Sequence, residues 1–214
     1  MNITHSVKEI AQGDRLKAIF DRQKELMEKY HHIEERSGLL QTGDCPVNLD
    51  DRRGQARIKD FAWRLTEELG EALDAEANQL HYQEELIDGL HFLTELTILA
   101  GKDYNTITSF DPDTNKDYLD LLYDDGREMA LGYDLDKLVK VFVKELGMMC
   151  NCLKNKPWKQ SHMRTDKEAF YDRLERVWLT YMGILAVSGM EATYIVDIYF
   201  KKSQVNKFRQ RSNY

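Results

Sequence analysis

The chain is 214 residues long, 42% hydrophobic and 31% charged, with a net charge of −7. That length supports a single domain with a sizeable core, and the balance of apolar and charged residues excludes a disordered chain. Its acidity argues against a general nucleic-acid binder, and no apolar run approaches the roughly 20 residues needed to span a bilayer.

The N-terminal stretch, MNITHSVKEIAQGDR, lacks the apolar segment of a secretory signal. Leu16, Ile19, Phe20, Leu26 and Tyr30 recur at helical spacing and predict a helix over 14–35. Residues 36–50 hold Gly, Pro, Asn and Asp and read as a loop. A long helix is expected over about 52–79, with an apolar stripe of Ile58, Phe61, Ala62, Leu65, Leu69, Ala72 and Leu73. The next, over about 82–100, is apolar on nearly every side of the wheel and is therefore expected to be buried. Residues 101–134 form a Tyr- and Asp-rich stretch of weak periodicity, read as an acidic insertion with helix around 116–123; ten acids face two bases over 103–136.

A helix is expected at about 135–154, then a Lys-rich loop with Pro157 and Trp158. Thr165-Asp-Lys-Glu168 reads as a capping box opening a helix to about 187, and Ser188-Gly-Met-Glu191 as a second one opening the last helix. None of the three prolines falls inside a helical pattern, so the expected class is an all-α bundle in one domain over 1–214. Trp63 and Trp178 are expected to pack inside it. Cys45, Cys150 and Cys152 cannot all pair within the chain, and Cys-x-Cys on a helix points its sulfurs about 200° apart. They read as reduced thiols of a cytoplasmic protein.

Two acidic clusters carry the chemistry. Glu67-Glu68-Leu69-Gly70-Glu71 and Glu85-Leu86-Ile87-Asp88 each place acids three residues apart, on one helix face and one turn apart. Glutamates on a helix are ordinarily a solvated surface. Here Glu68 falls about 60° from the centre of the apolar stripe, and Glu85 and Asp88 sit on a helix without a wet face. A buried carboxylate without a partner is costly, so side-by-side packing of these helices predicts a site for a hard divalent metal, of the kind that serves phosphate chemistry.

The tail from Tyr199 to Gln210 repeats Lys202, Asn206 and Arg209 on one face, where they could grip phosphates or simply favour the helix dipole. His91 on the buried helix reads as a hydrogen-bonded core residue rather than a ligand, and Gln23 as a candidate for reading a base edge.

The spacing Glu67-Glu68-x-x-Glu71 followed by Glu85-x-x-Asp88 resembles the paired motif of the all-α nucleoside triphosphate pyrophosphohydrolases, which include MazG-type enzymes and the dimeric dUTPases and dCTPases. EELIDGLHFLTEL at 84–96, with its His-Phe pair, and YFKKSQVNKFRQRSNY at 199–214 resemble the dUTPase branch. The resemblance covers 14–35, 52–100 and 188–214 and does not extend to 101–187. Asn213 stands where the branch has glycine, and ALDAEANQLHYQ replaces its Trp- and Lys-rich segment.

What the resemblance implies is a homodimeric dUTP diphosphatase that converts dUTP and water to dUMP and pyrophosphate, with dCTP as a second substrate, and binds neither nucleic acid nor membrane. Glu68, Glu71, Glu85 and Asp88 would hold Mg²⁺, with Mn²⁺ as an alternative. Glu67 and Glu68 would act in catalysis, Lys202, Asn206 and Arg209 would bind phosphates, and Gln23 would read the pyrimidine. Two other readings stay open: a MazG-like enzyme for other or modified nucleotides, and a non-enzymatic helical protein whose acidic insertion binds a basic partner.

Overall fold

The structure, a computed structural model, describes residues 13–107, 116–156, 158 and 160–211, with Arg211 described by its backbone alone. Part of the acidic stretch (108–115), Pro112, Pro157 and the Asn213-Tyr214 end of the tail lie outside the described residues. Seven helices and no strand occur among them: α1 (Arg15–Ser37), α2 (Arg52–Asp74), α3 (Gln79–Leu99), α4 (Tyr118–Met129), α5 (Leu135–Cys152), α6 (Lys167–Val187) and α7 (Ala192–Arg211). No single described helix is long and apolar enough to cross a membrane.

Each start has a local cause. Asp14, Asp51, Asn78, Asp117, Asp134 and Asp166 accept hydrogen bonds from the first free N–H groups of α1 to α6. Asp166, not Thr165, caps α6; the Thr165 hydroxyl donates to the Leu49 carbonyl instead. Ser188 closes α6 through its hydroxyl on the Ile184 carbonyl and does not open α7. Both corrections have one reason: the capping-box pattern names acceptors, but a competing acid or a carbonyl one turn back can claim the position.

α2 ends at Asp74 and α3 begins at Gln79, so the connection has four residues, 75–78, where the expected helices to 79 and from 82 leave two. The short connection folds α3 back along α2, which brings Glu68 to Glu85 and Asp88, while Glu71 lies nearer the turn along α2. α1 and α7 cover the hairpin, while α4, α5 and α6 pack as a second layer. As its all-round apolarity requires, α3 is buried along most of its length, including Leu86, Ile87, Leu90, Leu93 and Leu96. The chain's own helices provide that cover.

α6 joins the layers. Trp178 donates from Nε1 to Thr97 at 2.8 Å, and the Tyr181 hydroxyl donates to the Leu86 carbonyl at 2.6 Å. The expectation for Trp63 fails: it is 62% exposed and donates to Glu67. A large aromatic on a helix outside the apolar stripe has nothing to pack against. The acidic stretch is more structured than its periodicity suggests. Leu119 and Leu122 of α4 are fully buried, and Arg15 of α1 pairs with Asp117 and Asp120.

Gly89 follows Asp88 because Tyr181 passes there: a Cβ would lie 2.2 Å from the Tyr181 hydroxyl and 3.3 Å from Leu65 Cδ1. Gly89→Ala is therefore expected to break the Tyr181–Leu86 bond and lower stability by about 2 kcal/mol. Chemical denaturation will check this; a loss below ~0.5 kcal/mol would mean Tyr181 moves aside freely.

Candidate active site

Across the α2–α3 hairpin, one carboxylate oxygen from each of Glu68, Glu85 and Asp88 lies within 4.8 Å of the others. Glu85 is buried, and its Oε1 is 3.0 Å from His81 Nδ1. Asp88 Oδ2 is 2.6 Å from Lys202 Nζ, which reaches down from α7. Burial first, then the charges of Asp88, Glu71 and Glu85, push the Glu68 carboxyl up to about 8. Burial also raises Asp88, against the opposing Lys202. Glu68 thus holds a proton near neutral pH that it would release to a cation. Its donors are all carboxylate oxygens, the set that suits a hard ion such as Mg²⁺.

The other proposed acids sit apart. Glu71 is exposed and outside the group of three, though its charge is felt at Glu68. Glu67 is exposed and accepts the Trp63 bond at 2.8 Å.

Glu68 and Asp88 border a cavity of ≈ 260 Å³, with Gln23 from α1, Glu95 from α3, and Asn206 and Arg209 from α7 on other walls. Four helices therefore bring acids, an amide pair and a tail cation to one space. A larger cleft of ≈ 690 Å³ lies beside His31 and Cys45; its acids Asp21, Glu25 and Glu28 do not form such a three-acid cluster among the described residues.

Beneath the cavity runs a buried polar network. Gln23 Nε2 donates to Glu95 Oε2 at 2.8 Å. Gln23 Oε1 accepts from the Tyr199 hydroxyl and pairs with His91 Nδ1, each at 2.8 Å. The His91 ring stacks on Tyr199 with centroids 3.8 Å apart. Burial, helped by Lys202, lowers His91 to about 3, so it is neutral, and its bond to a carbonyl oxygen puts the proton on Nδ1. This is the hydrogen-bonded core histidine that its setting on α3 predicts. Burial raises Glu95 to about 7, opposed by the Gln23 bond. Behind it, Arg57 and Arg64 each donate to Glu34 at 2.8 Å, and together they hold that carboxyl low in spite of its burial.

Glu95, Glu34, Arg57 and Arg64 are absent from the sequence reading. Glu95 carried a usable signal. It lies two turns beyond Asp88 on the same buried helix, so the argument that singled out Glu85 and Asp88, an acid with no wet face to occupy, applies to it equally.

The family model for dUTPase matches residues 72–214, about two thirds of the chain, running through 101–187 where no motif is legible by eye. The match begins just after Glu71, so it takes in Glu85, Asp88 and the tail but not Glu67, Glu68 and Glu71 of α2. No curated protein and no solved structure matches the chain. With an all-helical fold, and with the second acidic motif and the cationic tail inside the matched span, the chain belongs to the dUTPase family, nucleoside triphosphate diphosphatases that act on dUTP.

Proposed function

We propose that this protein is a Mg²⁺-dependent dUTP diphosphatase that hydrolyses dUTP to dUMP and pyrophosphate at the cavity between α1, α2, α3 and α7. The observation that carries the reading is the meeting of Glu68, Glu85 and Asp88 beside a cavity that Asn206 and Arg209 also line. Glu68, Glu85 and Asp88 would hold the ion, with Glu71 adding negative charge at the edge. When bound, Mg²⁺ supplies positive charge against the phosphate oxygens and makes water a better nucleophile.

The chain's own groups do the rest. Arg209 and Asn206 offer donors to the phosphates from the cavity wall, and Lys202 offers a point charge beside Asp88. Glu68 gives up its proton when a cation takes its place. Gln23, buried in the cavity wall, would meet the base. Glu67, on the wet side of α2, has the weakest claim to a role in the chemistry.

A homodimer is part of the proposal by family kinship alone. α3, apolar on nearly every side, is covered within one chain. The three cysteines are free, which suits the reducing cytoplasm where nucleotide pools are kept. The alternative in which the acidic insertion binds a basic partner loses ground because Asp117, Asp120 and Asp124 are engaged by Arg15 and Lys116.

The test is incubation with Mg²⁺ and each common deoxynucleoside triphosphate, reading pyrophosphate and monophosphate. Release from dUTP in preference to the purine nucleotides is expected. Equal release from all would move the protein to the broad MazG-like class, and release from none would sink the enzymatic reading.

A further inference from the structure

We propose that Glu95 is a positioning residue that sets base selectivity: by accepting from Gln23 it fixes the Gln23 amide so that its remaining N–H meets a carbonyl oxygen at the 4-position of a pyrimidine, admitting uracil and rejecting cytosine. The proposal rests on the dUTP diphosphatase reading and adds to it the origin of the base preference.

The argument starts from the capacity of the Gln23 amide. Its oxygen has two lone pairs, and both are taken, by His91 Nδ1 and by the Tyr199 hydroxyl. Its nitrogen has two hydrogens, and Glu95 takes one at 2.8 Å. Gln23 is 3% exposed and borders the cavity, so what it can offer a ligand is a donor and not an acceptor.

Which way the amide faces is decided by Glu95. The Tyr199 hydroxyl can donate or accept, and His91 can carry its proton on either ring nitrogen, so both would tolerate a flipped amide. Ionised Glu95, the form above about pH 7, would not: a flip would set the amide oxygen against a carboxylate oxygen in a buried site. Glu95 itself is 5% exposed on α3. A donor held in this way pairs with the 4-oxo group of uracil. The 4-amino group of cytosine would bring donor against donor and leave buried polar groups unpaired, which binding sites reject strongly.

The test compares wild type, Glu95→Leu and Glu95→Gln. Leucine removes the acceptor at similar bulk, and replacing a desolvated carboxyl by an apolar group is commonly tolerated. For Glu95→Leu the ratio of kcat/KM for dUTP over dCTP is expected to fall about tenfold or more, through KM rather than kcat. Glu95→Gln keeps an acceptor oxygen and should hold the ratio within about threefold. Gln23→Met, which removes the donor itself, should lose the ratio as Glu95→Leu does, and serves if the leucine variant fails to fold.

An unchanged ratio in folded Glu95→Leu or Gln23→Met overturns the proposal, as does an equal fall for both nucleotides, the mark of a merely structural role. Calorimetric binding of α,β-imido-dUTP and α,β-imido-dCTP with Mg²⁺ separates the two readings. Wild type that releases no pyrophosphate but prefers the uracil analogue, with the preference lost in Glu95→Leu, overturns only the catalytic reading. Wild type that binds both analogues equally overturns this one.

Discussion

Asp88→Asn will lower kcat/KM for dUTP by about 10³-fold, or about 4 kcal/mol of transition-state stabilisation. The size follows from where Asp88 stands. It shares a 4.8 Å cluster with Glu68 and Glu85, and its Oδ2 is the contact for Lys202. Asparagine keeps the shape but removes one of three anionic charges from the proposed metal centre. It also removes the charge that follows burial as the main cause of the raised Glu68 carboxyl, so Glu68 will titrate nearer its ordinary value. The apo variant should be no less stable than wild type, because a repelling charge has gone from a half-buried site. Loss of activity with an intact melting transition marks a site residue. Activity within about tenfold of wild type would show that the chemistry lies elsewhere.

Mg²⁺ will raise the melting temperature, and by more at alkaline than at mildly acidic pH. In the folded protein Glu68 is raised from 4.5 to about 8 and Glu95 from 4.5 to about 7. Both carboxyls bind protons more tightly folded than unfolded, so across that window the native state holds more protons. Stability then falls as pH rises, from the ordinary carboxyl range up to about 8 for Glu68 and about 7 for Glu95. The loss is the cost of ionising carboxyls that are desolvated and, at Glu68, crowded by other acids. A cation at Glu68, Glu85 and Asp88 relieves the crowding. Near pH 6 it must first displace a proton, and at about pH 8.5 it need not.

At roughly 100 times its Kd, Mg²⁺ binding to the folded form alone is worth ~3 kcal/mol, which for a chain of this size is about 5–10 °C. Melting curves in chelator and in Mg²⁺ at several pH values will check this. A shift that is absent, or that shrinks as pH rises, would contradict a metal centre at these three acids. Asp88→Asn should reduce the shift, which ties the two predictions to one site.

The non-enzymatic alternative predicts neither result. It also leaves unexplained why a folded chain retains Glu85, at 7% exposure, next to two further acids. Retaining such a cluster makes physical sense when something positively charged occupies it.

The sequence by itself determined the class and most of the elements. Helical spacing and the absence of proline inside it fixed an all-α chain, and the all-round apolarity of residues 82–100 marked α3 as the buried helix. It also determined that Glu85 and Asp88 needed a partner, since acids on a helix with no wet face are costly wherever the fold puts them. These readings rest on local periodicity, which side-chain direction imposes before any long-range contact forms.

The tertiary structure decided which acids meet. Glu67, Glu68 and Glu71 share one short motif, but the tight turn between α2 and α3 sets the level at which the helices face each other. That level brings Glu68 to Glu85 and Asp88, leaves Glu71 nearer the turn and turns Glu67 outward onto Trp63. Only the fold joined Gln23, Glu95 and Tyr199, which lie on three helices far apart in the chain. A hydrogen bond between residues 72 or 176 positions apart leaves no periodic trace in the sequence, because nothing local requires it.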